Sequence, residues 1–533
     1  MNWPATIANS LWIGSSLPAW RDFRRALGRP ERVQRSLLCR LLAENAQSAY
    51  GRAHNFRRLS NYEDFAANVP FVGYEDLAPW IDRIRSGEPH VLTQEPVSHL
   101  IPTSGSTGAR KLIPFTRGLQ REFSRAIGPW ISDLARQHTE IIFGPAYWSI
   151  TPAMAECETK PSSVPVGFAD DAAHLGGVRG FLVRAALAVP NELAAVGDLN
   201  EFRLRTLLCL LRQRDLRFIS VWHPSFLTHL LDSIPDHWDR ILNQLRRDKN
   251  PRTRELEHAD VKSPEALWPH LRVISCWGDA QAQLALQDLQ RRFPKVHVQA
   301  KGLLATEAFV TIPFGGLNPV AVCSHFFEFL DEQGRVRLVH QLCETETYEV
   351  VVTTAGGLWR YRLGDRVAVT GFLGSTPSLR FLGRGGKVSD LFGEKLSEVF
   401  VAGVLQQTLD SFGLVPRFGF LAPDQDQMGW RYTFYVEGNM PQGLPKALDR
   451  ALRQNPQYDY CRALGQLQSV SVFEIGRGGY ETFTDRLISE GKRLGEIKPA
   501  ALCQTSGWSK TFSEALATTK NPSLATPRHT ETF

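Results

Sequence analysis

Thr103-Ser104-Gly105-Ser106-Thr107-Gly108-Ala109-Arg110-Lys111 constrains this chain more than any other stretch. Four hydroxyl side chains and two glycines fall within six residues, and two cations follow. Glycines let backbone N–H groups turn toward one point, hydroxyls donate to phosphate oxygens, and the basic pair offsets negative charge. The stretch therefore has the chemistry of a phosphate cradle. It is not a Walker A loop, because no Gly-x-x-x-x-Gly-Lys-Ser/Thr pattern can be drawn. Loops of this composition also serve as ordinary surface turns. The other parts of a nucleotide site, if they stand elsewhere in the chain, decide between the two.

At 533 residues the chain exceeds one hydrophobic core, so two or more domains are expected. An apolar fraction of 43% and a charged fraction of 22% are those of a soluble globular protein. The net charge of +6 rests on dispersed arginines. That suits an anionic substrate and excludes a nucleic-acid footprint, which needs a clustered stripe. The eight cysteines form no C-x-x-C pair, which predicts reduced thiols in a cytoplasmic protein and neither a disulfide framework nor a zinc site. No run of ~20 apolar residues exists, so no membrane span is expected. Residues 7–20 are broken by Asn9, Gly14, Ser15, Ser16 and Pro18, unlike a signal peptide. A monomer is the default expectation.

Periodicity predicts a helical region over 11–48, with Leu37, Leu38, Leu41 and Leu42 as its apolar stripe. Another helix begins at 74–77. A short strand at 97–102 leads into the hydroxyl-rich loop, and a helix over 118–137 carries Leu119, Phe123, Ile127, Trp130, Ile131 and Leu134 at helical spacing. Residues 144–180, rich in Gly, Pro and small side chains, predict a long loop region around a pocket. A helix at 204–214, a strand at 218–222 and a helix from 224 follow. The charged stretch 246–257 reads as a solvated face. Strand 271–276, helix 282–292 and strand 296–300 then predict a parallel βαβ unit.

From 326 to 381 the chain turns β-rich, with strands at 326–330, 348–353 and 366–369 and a turn at Ala355-Gly356-Gly357. A sheet or small barrel is expected there. Gly383-Arg384-Gly385-Gly386-Lys387 is the best linker. Beyond it, a helix over 396–412, strands at 432–436 and 470–475, and a helix face at 480–488 capped by Gly491 make a small α/β domain. The polar tail 511–533 reads as loosely held. The expected organisation is α/β, with domain 1–382, hinge 383–388 and a smaller mobile domain 389–533.

Acid and hydroxyl positions now stand at loop ends: Gly278-Asp279-Ala280 after one strand, Ala305-Thr306-Glu307 after the next, and Gly364-Asp365 ending Tyr361-Arg362-Leu363. Ligands of open α/β sheets bind outside the carboxyl ends of strands. Singly, each acid also reads as a helix cap or turn residue. In this order, ahead of a Gly-Arg hinge, the series resembles the adenylate-forming (firefly luciferase-like) superfamily. More closely, it resembles the plant auxin-inducible (Gretchen Hagen, auxin-responsive promoter) acyl-acid amido synthetases and their bacterial relatives. Tyr74-Glu75-Asp76-Leu77, Lys111-Leu112-Ile113-Pro114, Val221-Trp222-His223-Pro224-Ser225-Phe226-Leu227, Phe326-Phe327-Glu328-Phe329 and Tyr348-Glu349-Val350-Val351-Val352-Thr353 also match. The resemblance spans residues 30–505.

The resemblance implies a large N-terminal adenylation domain, of parallel α/β sheets plus a small β-barrel-like part, and a smaller mobile C-terminal domain. It implies ATP and Mg²⁺ as cofactors, and a small carboxylic acid and an amine, an amino acid in the family's manner, as substrates. Ser104, Gly105, Ser106, Thr107 and Gly108 would hold the ATP phosphates, with Lys111 lending charge. Glu307 would be the Mg²⁺ ligand and a catalytic residue, and Thr306 a phosphate contact. Asp365 would accept from the ribose hydroxyls. Gly278, Asp279 and Ala280 would lie along the adenosine, with Tyr361 and Arg384 also at the nucleotide. Lys387 falls at the hinge, and Lys498 matches the family's catalytic lysine on the mobile domain.

Two departures stand out. Leu303 replaces the aromatic expected against adenine, so apolar contact must serve in place of stacking. Pro499-Ala500 follows Lys498 where the family has Pro-Arg. No Gly-x-Ser-x-Gly elbow exists, and adenylation needs no side-chain nucleophile. An acyl-coenzyme A ligase shares the same first half-reaction, and a nucleotide-binding module without catalysis is the reading from another class. The acyl pocket is expected between helix 118–137 and region 144–180, with Trp130, Tyr147, Trp148 and Phe168 as candidate lining. These motifs do not choose the acid.

Overall fold

The computed structural model describes residues 2–103, 111–149, 162–167, 177–196, 198–279, 282–384, 388–490, 492, 497 and 500–520. The chain forms two compact units, one of Met1–Ala282 with Asp288–Leu382, the other of Gln283–Gln287 with Gly383–Phe533.

In the first unit, the helical region expected over 11–48 is two helices, Trp3–Ala26 and Pro30–Asn45. Pro30 opens the second because its fixed φ suits a helix start and its missing N–H costs nothing there. The first starts at Trp3, where the Asn2 side chain accepts the Ala5 N–H at 3.1 Å. Leu37, Leu38, Leu41 and Leu42 are all buried, as their stripe requires.

Four strands build a parallel sheet in the order Ala146–Trp148, Phe218–Ser220, Val273–Trp277, His297–Lys301. Helix Ala282–Arg292 makes the crossover of the expected βαβ unit. Side chains along a strand alternate between faces, so His297, Gln299 and Lys301 point the same way. They point toward helix Arg117–Gln137 and the residue after it. Gln299 Oε1 accepts from Trp130 Nε1 at 2.8 Å, and the His297 ring stacks on His138 with centroids 4.6 Å apart.

Two expectations for this unit need correction. Region 144–180 is not all loop, since it contributes strand Ala146–Trp148 and the start of helix Gly177–Ala186. A three-residue strand is too short to leave a periodic signal. The stretch 246–257 is not wholly solvated either. Arg252 is buried and donates to the carbonyls of Leu211 and Leu267, each at 2.6 Å. Its forked guanidinium satisfies two backbone acceptors at once.

The β-rich stretch is a five-stranded antiparallel sheet in the order Thr376–Arg384, Tyr361–Leu373, Thr347–Thr353, Phe326–Leu330, Val336–Leu338. The strand expected at 366–369 extends from Tyr361 to Leu373. Gly364-Asp365 therefore does not end a strand but lies inside one.

The second unit holds a three-stranded sheet and a two-stranded one, Val388–Ser389 against Leu396–Ser397, so the helix expected from 396 starts only at Glu398. Gly419–Asp426 runs antiparallel to Gly429–Glu437, which is parallel to Ser471–Ile475. Helices Glu398–Ser411, Leu444–Leu452 and Pro456–Ala463 contribute to one core, with Val401, Leu405, Leu448 and Tyr458. Helices Gly479–Ser489 and Trp508–Lys520 contribute to a second, with Phe420, Phe483, Trp508 and Phe512. The tail expected to be loose from 511 is thus helical to Lys520. Trp508 stacks on Phe483 at 4.9 Å, and Phe512, one turn on, is buried beside it. Gly491 lies outside the described residues. No described helix is long and apolar enough to cross a membrane.

Candidate functional site

The edge strand His297–Lys301 runs into a tight hairpin that carries Thr306 and Glu307. The Leu303 N–H donates to Thr311 Oγ1 at 2.7 Å, and the Val310 N–H to Leu303 O at 2.9 Å. Nearer the tip, the Ala305 N–H donates to Ala308 O at 2.9 Å. Glu307 at the tip is buried, 6% exposed, and Thr306 is half-buried. Leu303 is itself buried in the main core.

The hairpin is braced from behind by two residues that the sequence reading missed. The Phe309 N–H donates to His325 Nε2 at 3.2 Å. Since that nitrogen accepts, the ring proton sits on Nδ1, which donates to Glu122 Oε2 at 2.9 Å. The same carboxylate oxygen accepts the Ala355 N–H at 2.9 Å. Helix Arg117–Gln137, the hairpin and the 355–357 turn are thereby joined through one buried carboxylate. A signal was present: Glu122 adjoins Phe123 on the apolar face of an amphipathic helix, where a charge needs a partner.

Asp365 sits on a bulge. Arg362 pairs with Val351 and Arg366 with Glu349, so Leu363, Gly364 and Asp365 together oppose Val350. Gly364 takes φ 74°, a region open to glycine at little cost. Such a bulge re-aims the side chain that follows it, and Asp365 is 2% exposed. The strand's start is anchored by Arg360, which forks onto Glu328 at 2.8 and 3.0 Å and donates to the carbonyls of Ala66 and Val69. Its guanidinium also lies 3.8 Å over the Phe71 ring. Tyr62 donates to the same Glu328 at 2.8 Å, and burial, with that carboxylate beside it, pushes the phenol above its usual range. Tyr361 follows, buried, and bridges Val72.

Asp279 is held differently from the other two acids. Its Oδ2 accepts the Phe381 N–H at 3.1 Å, and the Trp277 and Phe381 rings meet edge-on at 5.3 Å. Burial pushes this carboxyl above its ordinary range, with the Phe381 N–H and the Arg380 charge offsetting part of the rise. The turn after strand Val273–Trp277 thus abuts strand Thr376–Arg384, the neighbour of the strand bearing Tyr361 and Asp365. Gly278 precedes Asp279 in that turn.

Lys111 opens strand Lys111–Phe115, where it pairs with Thr103, so the two ends of the hydroxyl-rich stretch meet. The Leu112 N–H donates to the Tyr74 hydroxyl at 2.8 Å, and Lys111 Nζ lies 5.7 Å from the Tyr74 ring. The word 221–227 is a helix start, in which His223 Nδ1 accepts the Ser225 N–H at 3.2 Å. Arg384 ends strand Thr376–Arg384. Ser104, Gly105, Ser106, Thr107, Gly108, Ala280, Lys387, Lys498 and Phe168 lie outside the described residues. Of the candidate acyl-pocket residues, Trp130 and Tyr147 are buried, and Trp148 is half-buried with its ring 6.2 Å from Trp130.

Known proteins match this chain along most of its length. Three models match in order: the GH3 family N-terminal domain over residues 19–254, the central domain over 319–384 and the C-terminal domain over 401–506. The chain is 26% identical over 418 residues to indole-3-acetic acid-amido synthetase GH3.15 of Arabidopsis thaliana, covering 66% of this chain and 68% of that protein. It is 25% identical over 580 aligned residues to probable indole-3-acetic acid-amido synthetase GH3.12 of Oryza sativa subsp. japonica, covering 90% and 92%. Its fold matches the solved structure of AtGH3.15 acyl acid amido synthetase in complex with 2,4-DB at a TM-score of 0.81 and 19% identity, covering 94% of this chain and 96% of that one. The chain belongs to the GH3 family of acyl acid amido synthetases, which are adenylate-forming ligases.

Proposed function

We propose that this protein uses ATP to activate a small carboxylic acid as its acyl-adenylate and then passes the acyl group to an amine, an amino acid, to form an amide. One observation supports this above the others. The two motif carboxylates, Glu307 and Asp365, are each buried on a purpose-built backbone feature, a braced hairpin tip and a glycine bulge. Core packing alone does not favour two buried acids at those positions.

Glu307 and Thr306 offer one carboxylate and one hydroxyl oxygen, and no trio of acidic, His or Cys ligands gathers among the described residues. That donor set fits Mg²⁺, which takes one or two carboxylates and completes its shell with water and nucleotide phosphates. Bound there, the ion would offset charge developing on the phosphates. The hydroxyls of Ser104, Ser106 and Thr107, with the backbone of Gly105 and Gly108, cradle the triphosphate, and Lys111 adds positive charge. Asp365 fixes the ribose, and Gly278, Asp279, Ala280, Tyr361 and Arg384 surround the nucleoside, with Leu303 giving apolar contact.

A carboxylate oxygen of the acid attacks the α-phosphorus, and the bond to pyrophosphate breaks. The amine nitrogen then attacks the acyl carbon, AMP leaves with the electron pair, and the amine proton passes to solvent. Lys498 adds charge at the α-phosphate in the first half-reaction, and rotation about 383–388 withdraws it for the second. Carboxylate-dependent exchange of pyrophosphate into ATP tests the reading. Exchange with at least one acid, lost in Glu307→Ala, is expected. No exchange across a broad acid panel would leave a nucleotide-binding module instead.

A further inference from the structure

Lys301 is the last residue of the edge strand His297–Lys301, at the carboxyl end of the parallel sheet, just before the hairpin that carries Glu307. It is 9% exposed. Its Nζ donates to Val221 O at 2.9 Å and lies 5.1 Å from the Trp222 ring centroid and 6.0 Å from that of Trp130. Among the described residues no carboxylate reaches it. A buried ammonium without a counter-ion costs free energy, and a carbonyl with two indole faces recovers only part of that. Burial pushes its pKa down to about 8, so it remains mostly protonated at neutral pH.

Beside this cation stands an apolar surface. Trp222 is 43% exposed, a large indole left open at the carboxyl end of the same sheet, and its carbonyl accepts the Trp277 N–H at 2.9 Å. A buried positive charge against an open indole matches a ligand with an anionic head and an apolar body. A single ammonium matches the one charge of a carboxylate, whereas the second charge of a phosphate meets no further cation among the described surroundings of Nζ.

We infer that Lys301 is a specificity-determining residue for the acyl acid: its ammonium receives the substrate carboxylate, and Trp222 walls the apolar body. The inference rests on the reading of this chain as an acid-activating ligase. The carboxylate supplies the charge that the fold withholds. Contact with Lys301 then selects acids of limited length, since head and body must be met from two strand ends of one sheet, with strand Val273–Trp277 between them.

The experiment is pyrophosphate exchange at varied acid and varied ATP with the full-length wild type, Lys301→Met, Lys301→Arg and Trp222→Ala. Lys301→Met should raise the acid KM by about 30-fold, the scale of one charge-assisted hydrogen bond, with the ATP KM within about threefold. Lys301→Arg should recover part of that loss. Trp222→Ala, which removes an exposed side chain and therefore folds, should raise the acid KM by about fivefold. An unchanged acid KM in both Lys301→Met and Trp222→Ala overturns the inference, and if Lys301→Met does not fold, Lys301→Arg and Trp222→Ala decide by the same criterion. A wild type that exchanges with no acid overturns the ligase reading itself.

Discussion

His325 Nδ1 lies 2.9 Å from Glu122 Oε2 while the other ring nitrogen holds the Phe309 N–H, so one imidazole ties the long helix to the hairpin of Glu307. Both side chains are buried. His325→Phe would leave the carboxylate with only the Ala355 N–H and the Phe309 N–H without its acceptor. A loss of about 3 kcal/mol in unfolding free energy is expected. Glu122→Gln keeps one acceptor oxygen and should cost about half as much. Urea unfolding of the two single variants and the double variant reads both values, and the double should cost less than their sum.

The bulge at Gly364 makes a separate prediction. A β-branched residue at φ 74° is strained, so Gly364→Val should lose about 1–3 kcal/mol of stability. It should also raise the KM for ATP about tenfold, because the bulge aims Asp365. Asp365→Asn, which leaves the backbone of the bulge intact, should raise the same KM by about 10- to 100-fold. Thermal melts and ATP titrations of the exchange reaction separate backbone strain from lost nucleotide contact.

Arg360 and Glu328 form a buried fork that Tyr62 completes. Removing the cation alone, as in Arg360→Met, strands a buried carboxylate and should cost about 3–5 kcal/mol. Adding Glu328→Gln to that variant should return a good part of the loss. Denaturant midpoints of the single and double variants provide the check.

Lys301 carries a pH signature. Its folded pKa of about 8 lies below the ordinary 10.5, so between these values the unfolded chain binds more protons. Stability therefore rises with pH across that window, and the buried charge costs stability at neutral pH. The shift corresponds to a ceiling of about 3 kcal/mol, reduced in Lys301→Met because Val221 O then lacks its donor. The ligand-free variant should be about 1–2 kcal/mol more stable than wild type at pH 7, with the gain shrinking toward pH 10. Urea unfolding at pH 7 and pH 9.5 reads the sign.

Gly383 takes φ 148°, and a Cβ there would sit 2.8 Å from Val399 Cγ2. Gly383→Ala should therefore disturb the proposed hinge. Pyrophosphate exchange should fall by no more than about threefold, while amide formation falls by at least about tenfold, both measured on one preparation.

Local periodicity made much of the fold legible. Helix Ala282–Arg292 and its flanking strands could be read because apolar spacing switches from 2 to 3.6 and back within a short span. Strand Lys111–Phe115 was missed because Pro114 interrupts its pattern and its partner lies across the hydroxyl-rich loop. Strand Gly419–Asp426 was missed for similar reasons, with Pro423 inside and acids at its end. At the site, Thr306, Glu307 and Asp365 were visible as motif residues. The backbone devices beneath them were not, since a bulge shows only in the register of two strands. Glu122, His325 and Lys301 act through contacts across the fold, which no spacing along the chain reveals.

The reaction itself can be read by mass. The protein should be incubated with ATP, Mg²⁺ and a panel of carboxylic acids, against an amino-acid mixture in one arm and coenzyme A in the other, with products identified by mass spectrometry. An acid–amino acid amide, formed with matching AMP and absent in Glu307→Ala, is the expected result. A thioester without any amide, or no acid-dependent AMP in either arm, would contradict it.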